Sequence, residues 1–481
     1  MKFSIAATLM ATLAPAAAQE VISLHGSGTT NPSKCYWHIM DLMQIQTKLP
    51  VKMTYRGVGS STGQAEFIGN GTTSDNDFGS GDIPFSSEDY ASFPANSILH
   101  LPIVLGAISF FHSVPTGETK LNLTPCVLAK IFKRDITEWT HPEIVELNPD
   151  LSLPGGFPIS VARRVLGSSS TSSITQYLNT ACPGEWPESL VGSTIDWPAD
   201  TRECEGSGGM TDCILDTPGT IGYIDSGHGH AEELQEIELR NADNVYISSK
   251  EAATKGGIMG AAANAGFPDS LDGDFSTVNL LNQPGASTWP IVAMTYVYVR
   301  KDLTFLTNPA SQTLLRAFLK TLYSDDYIPV CEEEFGFFRV TGDLRDKALA
   351  AIDALVVSDG APEWTFEKDT AARTGQGNFV ISAKRDSYSE VEQDANVAAV
   401  DALKKALADM QVMYDEMKTS VDAMSSGADH THSAESQAEA WVDDEMDEDT
   451  QLKTALALAS VSFILWMLTI IGVLVKYVLH L

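Results

Sequence analysis

Four short stretches of this chain carry hydroxyls and glycines in a pattern that suits a tetrahedral oxyanion. Gly26-Ser27-Gly28-Thr29-Thr30-Asn31-Pro32 and Gly57-Val58-Gly59-Ser60-Ser61-Thr62-Gly63 each follow a β-like run and precede a helix-like one. Glycine lets backbone amides approach a ligand, hydroxyls donate, and a helix N-terminus adds partial positive charge. Taken singly, such loops are also ordinary helix caps. The third stretch, Arg163 to Ser173, adds a guanidinium that can bind two oxyanion oxygens at once. The fourth, Asp77-Phe78-Gly79-Ser80-Gly81-Asp82-Ile83-Pro84, puts a carboxylate where an anion would bind. Phosphate near neutral pH keeps a P–OH that can donate to Asp82, whereas sulfate has only acceptors, so Asp82 implies choice of the protonated anion. The plain alternative for Asp82 is a helix N-cap ahead of Pro84.

Loops of this kind need strands and helices to hold them. β-like runs (Gln19 to Leu24, Val51 to Tyr55, Phe78, Pro158 to Arg163) alternate with helical stretches (Cys35 to Thr47, the residues after Thr62, Ser170 to Leu178). Leu99 to Phe111 is one long apolar stretch, with His100 inside it and His112 beside it. Such alternation predicts an α/β architecture with mostly parallel sheets, where ligands lie at the carboxyl ends of strands.

At 481 residues, 43% hydrophobic and 20% charged, the chain is globular and long enough for two or three domains. A formal charge of −32 argues against a nucleic-acid partner. A small anion needs only a local cluster of donors. The sequence has no HExxH, no Asp-rich metal constellation, no zinc-like Cys/His spacing and no Ser paired with an evident His. It therefore predicts neither an enzyme nor a metal or other cofactor. Lys2, an apolar run to Leu13 and Ala16-Ala17-Ala18 have the form of a secretory signal ending near residue 18. Export makes disulfides expected among Cys35, Cys126, Cys182, Cys204, Cys213 and Cys331. Cys204 and Cys213 flank a Gly-rich loop and are the preferred pair; the other partners, and one or two free thiols, stay open. Asn70-Gly71-Thr72 and Asn122-Leu123-Thr124 are glycosylation sequons if the host is eukaryotic.

Together the four segments, in this order, resemble the phosphate-binding protein of bacterial ABC phosphate importers, the PstS family. Ile136-Thr137-Glu138-Trp139 with Leu147-Asn148-Pro149, Gly219-Thr220-Ile221-Gly222-Tyr223-Ile224, and Asn282-Gln283-Pro284-Gly285 with Trp289-Pro290-Ile291 extend the likeness over about residues 20 to 355. The resemblance implies a two-lobed periplasmic-binding-protein-like (type II) fold with a hinge, closing on one dehydrated phosphate. It implies contacts from the Thr30 hydroxyl, the Asn31 amide, Ser60, Asp82 as proton acceptor, Arg164, Gly167, Ser168, Ser169 and Ser170. Departures are Leu166, where the family has an Asp that holds the arginine, Ser169 for Gly, Ser170 for Thr, and Asn31 for an apolar residue. Leu166 implies that another carboxylate orients Arg164 or that affinity is altered.

The C-terminal part is foreign to that pattern. Residues 386 to 452 hold eighteen Asp or Glu against three Lys. Val400, Leu403, Leu407, Met410, Tyr414, Met417, Val421 and Met424 follow an unbroken 3,4 spacing, which reads equally as a dimerising heptad seam or as one amphipathic helix. Thr454 to Val475 is twenty-two residues without a charge, long enough to span a bilayer. The expected organisation is a signal peptide (1–18), a PstS-like domain (19–385), an amphipathic helix (386–424), an acidic linker (425–453), a transmembrane helix (454–475) and a cytosolic tail (476–481). This describes a single-pass protein of the cell surface that binds phosphate outside, for acquisition or for delivery to a membrane phosphate transporter. A receptor or adhesion protein on the same fold, and a phosphatase, are the alternatives.

Overall fold

In the computed structural model, which describes residues 21–69, 74–117, 119–263, 265–333, 335–367 and 377–429, the chain divides into two units between Ser387 and Tyr388. The first is built on a ten-stranded sheet. Its beginning repeats strand, loop, helix: β1 (Ile22–Gly28) feeds α1 (Ser33–Gln46), β2 (Val51–Gly57) feeds α2 (Ser60–Ile68), and β3 (Phe78–Gly81) ends at Asp82. β1 pairs in parallel with both β2 and β3, so the three loops open at one end of the sheet. β2 is the edge and alternates accordingly, with Met53 and Tyr55 buried and Lys52, Thr54 and Arg56 exposed.

Next comes β4 (Ile98–His112), every residue of which is buried. It is followed by β5 (Ser160–Arg164), α3 (Ser169–Ala181), β6 (Arg202–Cys204), α4 (Gly206–Asp216), β7 (Thr220–Asp225) and β8 (Val292–Arg300). The order across the sheet is β2-β1-β3-β8-β4-β7-β5-β6. β4 runs antiparallel to β8 along Ile98–Ala107 and then to β7 along Ile108–His112. One apolar strand therefore belongs to both lobes, which explains a run with no polar face. Where β8 passes β4 the register shifts: Thr295 faces Val104 and Tyr296 faces Pro102, leaving Ile103 extra. Proline has no N–H to give the ladder, so the bulge falls where a bond is already missing, and it re-aims Thr295.

Residues that carried the family likeness turn out to fasten this frame. The Trp289 indole N–H donates to the Ile108 carbonyl at 2.8 Å, where β4 passes from one lobe to the other, and the Trp139 indole donates to Gly219 at 2.8 Å. His100 and His112 are packing residues: burial pushes them down to about 3 and about 4, and each neutral ring accepts a backbone N–H. All six cysteines are paired, Cys35–Cys331, Cys126–Cys182 and the expected Cys204–Cys213, so the free-thiol alternative falls. Asn122 is half-buried and its side-chain amide lies 3.4 Å from the Leu147 carbonyl.

The second unit contains α5 (Tyr388–Asp429), 42 residues and roughly 63 Å long. It starts two residues after the expected boundary and runs five residues into the stretch expected as linker. No proline stands between Met424 and Asp429, and Gly427 alone costs only about 1 kcal/mol. On the expected seam Val400, Leu407, Met410 and Tyr414 are half-buried and Leu403 is 55% exposed. Among the described residues no helix is long and apolar enough to cross a membrane. The expected signal, the Asn70 sequon, the linker beyond Asp429, the span 454–475 and the tail lie outside the described residues.

Candidate oxyanion cleft

The first loop is shaped by Gly28, whose φ of 150° and contact with β3 exclude a side chain: a Cβ there would lie 1.9 Å from the Ser80 carbonyl oxygen. Thr29 then hydrogen-bonds Ser80 through its N–H at 3.0 Å and accepts the Tyr55 hydroxyl on its carbonyl at 2.8 Å. Held in this way, Thr29 donates its hydroxyl to Asp82 Oδ2 at 2.5 Å, and Asn31 Nδ2 donates to the same oxygen at 2.8 Å. Ser60, the first residue of α2, accepts the Asp82 N–H at 3.3 Å. From the bulged strand β8, Thr295 donates to Asp82 Oδ1 at 2.6 Å.

The facing lobe brings α3 and β5. Ser169 donates to Asp82 Oδ2 at 2.8 Å, so the carboxylate ties the lobes together and holds four side-chain donors. Ser61 meets Ser193 at 2.9 Å and Thr30 meets Ser207 at 3.4 Å across the same cleft. Gly59 permits this approach: its φ is 91°, and a Cβ would stand 2.8 Å from the Gly167 oxygen. Burial raises the Asp82 carboxyl above its usual range, opposed by the hydroxyls of Thr29, Thr295 and Ser169 and by the charge of Arg164. Asp82 is not a helix cap, because the next helix, Ser87–Ser92, is capped by Ser86.

β5 alternates its two arginines. Arg163 turns outward to Glu203 at 2.8 Å, and Arg164 turns inward, 6% exposed. The Arg164 backbone N–H donates to the Tyr223 hydroxyl at 3.2 Å, which also meets Thr171 at 2.7 Å. Its buried Nε has no acceptor among the described residues, and no carboxylate there lies within ion-pair distance of its guanidinium. Burial lowers its pKa, while Tyr223, Asp82 and Glu205 pull the other way. At Leu166, which is 48% exposed and stands where the resemblance implies an arginine-holding Asp, no carboxylate substitutes in contact among the described residues. At the start of α3, Ser168 sits at the N-cap without using its side chain as a cap, and the Ser170 hydroxyl is buried with no partner among the described residues. The buried Arg164 Nε, the buried Ser170 hydroxyl and the N-terminus of α3 thus belong to one strand-loop-helix segment whose Ser169 touches Asp82, and one small anion can satisfy such groups.

Of the expected residues, Asn31, Ser60, Asp82 and Ser169 form one bonded cluster, with Arg164, Ser168 and Ser170 beside it. Thr30 stands apart, on Ser207 and a cavity of about 470 Å³ lined also by Asn31, Trp37, Asp225 and Phe335. Sequence reasoning missed Thr29 and Thr295. The signal for Thr295 was present, since a lone threonine in Val292–Arg300 breaks an otherwise apolar strand core.

The profile of the PBP superfamily domain matches residues 13–326. The phosphate-binding protein PstS of Haemophilus influenzae is 27% identical over 318 residues, covering 64% of this chain and 89% of that protein. The solved phosphate-binding protein of Stenotrophomonas maltophilia matches with a TM-score of 0.51 at 18% identity, over 68% of this chain and 93% of that one. A human phosphate-binding apolipoprotein matches with a TM-score of 0.55 at 18% identity, with the same coverage. At such identity the solved structures speak to the fold, a two-lobed α/β arrangement.

Proposed function

Because this chain belongs to the PBP superfamily, we propose that it binds inorganic phosphate between its two lobes, outside the cell, and does so without catalysis. The observation that carries this reading is the pair of buried donors without acceptors among the described residues, Arg164 Nε and the Ser170 hydroxyl, on the segment that bonds a buried carboxylate through Ser169. A phosphate dianion would take two hydrogen bonds from Arg164 and others from Ser168, Ser170 and the amides at the start of α3. Thr29 and Ser169 carry hydroxyl rotors, which can turn their protons from Asp82 to phosphate oxygens. Asp82 then gains room to accept the P–OH. Asn31 and Ser60 complete the shell in the manner that the resemblance implies, and Thr30 joins it only by leaving Ser207.

The tether belongs to the same proposal: the uncharged run 454–475 anchors the chain in a membrane, the plasma membrane by preference, and α5 acts as a stalk. Pairing of two copies through the 400–424 seam is supported by its 3,4 spacing and the exposure of Leu403. Delivery to a phosphate transporter is the role that such a tether suits. Calorimetric titration of the purified full chain in detergent tests the ligand. Saturable heat with inorganic phosphate is expected, and neither heat nor a melting shift at millimolar phosphate would sink the reading.

A further inference from the structure

Asp82 has more donors than a ligand-facing carboxylate oxygen can keep. Oδ2 takes Thr29 Oγ1 at 2.5 Å, Asn31 Nδ2 at 2.8 Å and Ser169 Oγ at 2.8 Å, while Oδ1 takes Thr295. An oxygen has two lone pairs in its plane, so at Oδ2 a ligand P–OH must displace a donor. The three donors differ in kind. A hydroxyl can rotate, donate to the anion and remain satisfied. The Asn31 amide cannot: its nitrogen carries only hydrogens, and its orientation is fixed because the reversed amide would set Oδ1 against a carboxylate.

We infer that Asn31 is a specificity-determining residue, the donor that stays on Asp82 when an anion arrives and so moderates the preference for protonated phosphate over sulfate. The inference rests on the phosphate reading above. With sulfate in the cleft, Asp82 faces an oxygen that brings no proton. The penalty for that pairing grows with how bare the carboxylate is. Asn31 keeps it partly neutralised by a fixed N–H. An apolar residue at this position would leave only Thr295 as a donor that does not also face the anion. Asn31 thus narrows the gap between the two anions without touching the Arg164 side of the site.

The test uses the purified full chain with inorganic phosphate by calorimetry and sulfate by competition, in wild type, Asn31→Ala and Asn31→Leu. Both variants remove the donor, and Asn31→Leu keeps the volume, so a folding defect in one leaves the other to decide; melting curves report which is folded. The phosphate-to-sulfate affinity ratio should rise about tenfold in the variants, the low end of a hydrogen bond to a charged group. In an Asp82→Asn background the same substitutions should leave the ratio unchanged, which a merely structural role for Asn31 would not produce. An unchanged or smaller ratio in folded Asn31 variants of a phosphate-binding wild type overturns the inference alone. A wild type that does not bind phosphate overturns the proposed function and, with it, this inference.

Discussion

Replacing Arg164 by methionine should make the ligand-free protein more stable and the phosphate-saturated protein less stable than wild type. Methionine has nearly the volume of arginine without its charge. What it removes is a guanidinium 6% exposed, with no carboxylate in contact and a buried Nε lacking an acceptor among the described residues. Exchanging a whole buried ion pair for apolar residues of similar volume is neutral to stabilising by about 1–4 kcal/mol, and Arg164 has no ion-pair partner among the described residues to be left stranded. Asp82 loses the attraction of Arg164 but keeps its four donors, so a gain of about 2 kcal/mol is the reasonable expectation. A folded unit of roughly 370 residues shifts by about 1–1.5 °C per kcal/mol, so the variant should melt about 2–3 °C higher in phosphate-free buffer. Phosphate at a thousandfold excess over Kd adds about 4 kcal/mol to the wild type, about 5 °C, and nothing to the variant. The two melting curves therefore change places when phosphate is added. Differential scanning calorimetry with and without phosphate reads this directly. A variant that melts several degrees lower without phosphate would show that Arg164 has a structural partner, and one that keeps the phosphate shift would show that the anion binds elsewhere.

Asp82→Asn should cut the phosphate-to-sulfate affinity ratio by about a hundredfold, since a neutral amide can donate to sulfate and no longer demands a ligand proton; equal ratios by competition calorimetry would leave Asp82 a purely structural bridge. Asp225 is buried at the end of β7, and burial with the nearby Asp82 charge pushes its carboxyl up to about 7. The unfolded chain loses that proton near pH 4, so between about pH 4 and 7 the folded state holds the extra proton and stability falls as pH rises, by up to about 4 kcal/mol in all. Asp225→Asn should flatten this part of the melting temperature against pH profile, and a variant profile parallel to wild type would contradict it. Chemical crosslinking of the full chain should give a dimer band that disappears when residues 396–424 are deleted; a monomer in both cases rules out the seam.

Much of the frame was legible because its signals are local. Strand, Gly/Ser loop and helix follow one another at short range in β1-α1 and β2-α2, whereas the long apolar run of β4 was legible as apolar but not as one strand shared by two lobes. The cluster around Asp82 was half legible. Asp82 and Ser169 stood out as a misplaced carboxylate and an extra hydroxyl, but their bond to each other depends on how closely the lobes meet, which no local pattern encodes. Thr29 was hidden beside Thr30: which of two adjacent threonines faces Asp82 is decided by the turn at Gly28. Thr295 depends on a bulge set by Pro102 in a strand almost two hundred residues away. Tyr223 was visible as part of a signature, yet its hydroxyl's hold on the Arg164 backbone follows from the neighbouring strands β5 and β7 lying in one sheet.

The pairing of Cys35 with Cys331, 296 residues apart, has a consequence for how the protein is made. β3 reaches its neighbour β8 only after the whole of the second lobe has been synthesised, whereas Cys126–Cys182 and Cys204–Cys213 close within one lobe over 56 and 9 residues. If the chain is exported as proposed, it presents Cys35 first and its partner last. Throughout that interval the Cys35 thiol would be open to capture by Cys126, the next to emerge. The N-terminal lobe should then be the slower to mature and the more dependent on a disulfide-shuffling catalyst, and chains halted before residue 331 should accumulate as mixed disulfides through Cys35.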